Sequence, residues 1–134
     1  MPRTVITPRA LAANGSLDGA TGPVTIDAAL VAAGAIVNRA IPERMLIRVT
    51  NTEGSTNTVT VKAGDNPPAL AAGQGDLVVT VAATTGVRYI GPLESGRFLK
   101  RLDDSSVNQG GSIYIDFETA MTGAIDVLTI PRAT

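Results

Sequence analysis

Apolar and polar side chains alternate along much of this chain with a period near two. In "RMLIRVT" (44–50), Met45, Ile47 and Val49 share one face, while Leu46, Arg48 and Thr50 share the other. "NTVTVK" (57–62) sets Val59 and Val61 against Thr58 and Thr60. "SIYIDFE" (112–118) sets Ile113, Ile115 and Phe117 against Tyr114, Asp116 and Glu118. Successive side chains of a strand point to opposite faces, so the pattern predicts strands with one buried face. The β-branched content of the same segments suits a pleated, half-buried surface. Further strands are predicted at 77–83, 86–90 and 124–130. Between the strands lie "NTEGSTN", "AGDNPP", "AAGQGD", "ATTG", "DDSSVNQGG" and "AMTG", all rich in turn formers. Short strands at this spacing predict an all-β fold: an antiparallel β-sandwich or a jelly-roll-like barrel.

Two segments break the pattern. "AALVAAGAI" (28–36) has alanines that allow a helical turn or two, but Gly34 and the flanking Val and Ile weaken a helix. It predicts a short helix or an irregular crossover. The first 22 residues, "MPRTVITPRALAANGSLDGATG", bury too little alone to offset their ordering entropy. The chain therefore divides into an extended N-terminal arm, 1–22, flexible or ordered on a neighbour, and a single β-sandwich domain, 23–134.

Composition narrows the chemistry. The chain has 134 residues and a net charge of −1, from 11 basic and 12 acidic side chains. That balance builds no field to hold a polyanion, so no nucleic-acid partner is expected. No apolar run approaches a membrane span, so no membrane partner is expected either. The N-terminus shows no continuous apolar stretch of the kind a secretory signal needs. His and Cys are both absent. Imidazole bases, thiol nucleophiles, disulfides and the commonest metal ligands go with them. Aromatics are 3% of the chain, so the core must be aliphatic.

The remaining candidates are weak as chemistry. Asp116 and Glu118 project from one face of a predicted strand, whereas a glycosidase needs its carboxylates across a cleft. They are expected on a solvated face. Asp103 and Asp104 open a turn without the spacing of a calcium loop. "AGQGD" lacks the lysine and the helix of a phosphate loop. Asn14-Gly15-Ser16 fits a glycosylation sequon that is expected to be accidental. The densest charged stretch is "GPLESGRFLKR" (91–101). Its Ser95 has no imidazole to activate it, and the surroundings depart from a nucleophile elbow. It predicts a structural corner: Gly91-Pro92 turns the chain, Leu93 and Phe98 enter the core, and Glu94 and Arg97 pair with each other or with Asp103 and Asp104. A subunit contact through Arg97, Lys100 and Arg101 is the other reading. No catalytic residue, cofactor or metal ligand is expected.

The order of "NT-VTVKAG", the "NPPA" turn, "GQGDL", "PLESGRF" and a closing "G-IYIDF…G-I-V-TIPR" is similar to that of a known family. Residues 48–132 resemble small β-sandwich proteins encoded among the head genes of tailed bacteriophages, the capsid decoration, cement or minor capsid proteins. The resemblance implies a structural virion protein on the outer capsid surface, made in the host cytoplasm, that binds across adjacent major capsid subunits. It also implies a homo-oligomer, with a trimer favoured. Arg3, Val5, Ile6 and Arg9 are then the expected capsid contacts, because a segment such as "RTVIT" can add a strand to a sheet edge. A carbohydrate- or receptor-binding module on a virion surface is the alternative reading.

Overall fold

A computed structural model describes residues 3–64, 75–100 and 111–131. Among these residues ten strands form two sheets. The first is ordered β1 (Thr4–Val5), β4 (Ala35–Asn38), β9 (Ser112–Phe117), β6 (Asn57–Val61), β7 (Leu77–Val81). The second is ordered β2 (Arg9–Ala10), β10 (Gly123–Thr129), β5 (Met45–Asn51), β8 (Gly86–Ile90), with β3 (Val24–Ile26) also paired to β10. Neither closes into a barrel, so the barrel expectation is set aside. The sheets are mixed rather than purely antiparallel: β1 runs parallel to β4, and β2 runs parallel to β10.

The alternating segments behave as their pattern requires. Met45, Ile47 and Val49 of β5 are buried, as are Val59 and Val61 of β6 and Ile113, Ile115 and Phe117 of β9. Ile125 and Val127 of β10 join them, so both sheets contribute to one aliphatic core. Asn51 and Asn57 end the buried rows of β5 and β6. Asn51 Nδ2 donates to Ser55 O (3.0 Å) and Val81 O (3.2 Å), and its Oδ1 accepts from Glu53 N (3.0 Å). Asn57 Nδ2 donates to Glu53 Oε2 (3.0 Å) and Ser55 O (3.1 Å). Burying two amides is tolerable because each is hydrogen-bonded.

Residues 28–36 hold both a helix and a strand. Helix α1 (Ala28–Ala33) starts at Asp27, whose carboxylate accepts from Leu30 N (2.9 Å), and stops at Gly34, whose φ is 76°. β4 follows at once. Ala35, Ile36 and Val37 are all buried, on both faces, so the strand shows no alternation.

The N-terminal segment differs most from expectation. From Arg3 to Leu11 it lies on this chain's own sheets. Thr4 N and Ile6 N donate to Gly34 O and Ile36 O (both 2.9 Å), and Leu11 N donates to Thr129 O (2.8 Å). The backbone thus passes from the edge of one sheet to the edge of the other, and Ile6, 2% exposed, joins the core between them. Residues 12–21 form an exposed loop. The physical reason lies in the edges of the two sheets. β4 and β10 offer unpaired edges beside the start of the chain, and covering them satisfies backbone groups that a tail would leave to water.

Candidate functional site

The residues expected to meet a partner fall into two clusters. In the first, two arginines fasten the arm. Arg3 Nη1 donates to Asp116 Oδ1 (2.6 Å) and to the carbonyls of Ala35 and Ile115 (both 3.3 Å). Room for this bridge exists because Gly34 has no side chain: a Cβ there would stand 2.5 Å from Arg3 Nη1 and 2.8 Å from Asp116 Oδ1. Arg9 makes a two-point ion pair with Asp126, Nε to Oδ1 at 2.9 Å and Nη2 to Oδ2, and its Nη1 donates to Asp18 O (2.9 Å). Asp126 is only 4% exposed, so its charge is matched by a partner that arrives from the arm. The hydrogen bond to Asp126 raises the Arg9 guanidinium above its ordinary pKa. Gly22 leaves the space this guanidinium occupies, since a Cβ there would overlap it. Arg3, Ile6 and Arg9 are therefore engaged within the chain, whereas Val5 remains 49% exposed.

The second cluster is the corner at 91–100. Gly91-Pro92 is a cis peptide, and Leu93 and Phe98 are buried. Helix α2 (Ser95–Phe98) is one turn long. Its first amide is held by Glu43, from the 3-10 turn Pro42–Arg44: Ser95 N donates to Glu43 Oε2 (2.9 Å), and the Ser95 hydroxyl donates to the same oxygen. The Ser95 hydroxyl, then its amide, hold the Glu43 carboxyl below the usual range. The two bonds anchor the start of α2 to the 3-10 turn.

Glu94 and Arg97 do not pair with each other, and the alternative pairing with Asp103 and Asp104 lies outside the described residues. Among the described residues, Glu94 has no ion pair, and Arg97 donates instead to the carbonyls of Gly75 and Asp76 (both 3.2 Å) while lying 4.7 Å over the Phe98 ring. Backbone carbonyls win because the chain entering β7 passes within reach of the corner. Gly64 N donates to Arg97 O (2.7 Å), tying the exit of β6 to the same helix. Asp76 completes the arrangement: its carboxylate accepts from Ala63 N (2.6 Å) and Lys62 Nζ (2.9 Å). These two bonds, the backbone one first, depress the Asp76 pKa, and Asp76 raises that of Lys62.

The two clusters meet at Tyr114. Arg3 lies 4.4 Å from its ring centroid and Lys100 lies 4.8 Å away. Arg101, Asp103 and Asp104 lie outside the described residues. Glu118 is bound locally, its Oε2 accepting from Thr58 N (2.7 Å). Among the described residues, no group of three or more carboxylates could hold a metal, and no helix is long and apolar enough to cross a membrane. A cavity of about 420 Å3 between α1 and the β9–β10 turn is lined by Ala28, Val31, Phe117 and Met121, with threonines its only polar side chains among the described residues. It offers no titratable group.

Sequence reasoning missed Glu43, Asp76 and Asp126 as partners. Pro42 was the one local signal, since proline favours the first position of a helical turn. No protein-family model, curated protein or solved structure matches the chain.

Proposed function

We propose that this chain is a structural protein of a tailed-bacteriophage virion, a sandwich that decorates the outer capsid surface and stabilises it by binding across adjacent major capsid subunits. The reading starts from the family resemblance of residues 48–132, and one structural observation supports it. Among the described residues, the most exposed large apolar side chains, Tyr89 (62%) and Val78 (59%), stand on β8 and β7. These strands end their sheets on the side away from the arm, with no strand partner beyond them among the described residues. Val87 is also exposed on β8, and Arg48 is the cross-strand partner of Tyr89. Tyrosine and arginine set among apolar side chains are what interface cores favour, and an unpaired edge offers backbone groups to another chain.

Work of this kind needs binding energy and no reactive group. A protein that binds the expanded lattice, and not its precursor, stabilises it by RT ln(1 + [L]/Kd) at each site. Many symmetry-related copies multiply a modest term. Assembly as a trimer about local threefold positions is part of the proposal. The test is co-sedimentation with expanded and unexpanded heads. Saturable binding to expanded heads that weakens in Tyr89→Ala and Val78→Asp, at unchanged melting temperature, supports the reading; no saturable binding to either form refutes it.

Exposed Tyr89 also favours a second reading, a carbohydrate- or receptor-binding module, because an aromatic face can stack on a sugar. Saturable glycan binding abolished in Tyr89→Ala would put that reading first.

A further inference from the structure

Where the arm reaches the end of β10, a cavity of about 230 Å3 opens between β2, the 3-10 turn and Ile130. Its floor is apolar, with Met45 fully buried and Leu11 beside it, and Ile41 and Ile130 stand exposed at its walls. Arg39 and Arg44 line it, and among the described residues no carboxylate does. Among the described residues neither arginine has an ion pair or a side-chain hydrogen bond, in contrast to Arg3 and Arg9, which the fold matches with Asp116 and Asp126. Arg39 is also held at φ 52°, a conformation that favours glycine or asparagine. Strain retained at a charged residue beside a cavity is a pointer to function.

We propose that this slot docks an extended segment of a partner protein that presents one aliphatic side chain flanked by carboxylates. Two features select that occupant. The volume falls below the ~300–1,000 Å3 of drug-sized ligand sites, so it suits a side chain rather than a whole small molecule. Two guanidiniums in a lining that holds no acid among the described residues complement negative charge, and their planar forks bind carboxylates at two points. A basic segment would meet like charge. The inference stands on the slot alone and does not depend on the capsid reading.

The test uses the full chain and two acetylated pentapeptide amides, Asp-Glu-Ile-Glu-Asp and Lys-Lys-Ile-Lys-Lys, followed by methyl NMR of Ile41, Met45 and Ile130. The acidic peptide is expected to give saturable shifts at these methyls, and the basic peptide none. Arg39→Gly relieves the backbone strain while removing the charge, so it keeps or raises the melting temperature and weakens the acidic peptide several-fold. Adding Arg44→Gln brings the loss to about tenfold or more. Equal binding of both peptides, undiminished binding to the double variant, or no saturable shift with the acidic peptide would overturn the proposal. So would decanoate binding more tightly than the peptide, because that result assigns the slot to a small amphiphile.

Discussion

Ile6→Ala tests whether the arm is part of the folded body. The substitution removes three carbons from a side chain that is 2% exposed. At about 0.8 kcal/mol per buried methylene, the transfer loss is about 2.4 kcal/mol. The arm is held by two-residue strands, so the site collapses in part, and a residual cavity adds about 1 kcal/mol. The sum, about 3 kcal/mol, is a large share of the ~5–15 kcal/mol that stabilises a typical domain. With a urea m-value of about 2 kcal/mol/M, the unfolding midpoint falls by about 1.5 M with m unchanged. Val5→Ala is the internal control: Val5, next to Ile6, is 49% exposed, and its loss should stay within about 0.5 kcal/mol. Urea titrations of both variants, read by far-ultraviolet circular dichroism, decide the matter. If the two variants unfold at the same midpoint as the parent chain, Ile6 is not in the core and the arm is a tail.

Other outcomes follow from the same structure. Asn51→Ala leaves Val81 O, Ser55 O and Glu53 N without this partner and should cost about 1–3 kcal/mol, read as a shift in urea midpoint. Arg97→Ala removes two bonds to the strand entering β7 and its stacking on Phe98; a stability loss of about 1 kcal/mol is expected, and an unaltered melt would remove the corner's assigned role. The carboxyls of Glu43 and Asp76 titrate below their ordinary values, so their contribution is full above the ordinary carboxylate range and is lost as pH falls through it towards the folded values. Melting temperatures should therefore hold from neutrality to mildly acid pH and then decline. The acid decline of Asp76→Asn should be shallower than that of the parent chain; equal slopes would contradict the assignment.

The strands that carry one buried face were legible because alternation is a local property. β5, β6 and β9 show it over five to seven residues, and the turns between them are marked by glycine, asparagine and serine. β4 was hidden for the opposite reason: both its faces are covered, so "AIVN" reads as a plain apolar run continuing the alanines of α1. β1 and β2 are two residues each, too short for any period. What places them is non-local: the free edges of β4 and β10 and two ion pairs. Arg9 and Asp126 are 117 positions apart, and nothing near either residue signals the other. The corner at 91–100 shows the same division. Its buried Leu93 and Phe98 followed from local apolarity, while Glu43, 52 positions from Ser95, did not.

Cryo-electron microscopy of the tailed-phage particle proposed to carry this chain is the most direct check on the proposed capsid role. Density for a two-sheet sandwich is expected on the outer shell, bridging adjacent major capsid subunits with β7 or β8 at the contact. A bare shell, in particles from cells that express the chain, would contradict it.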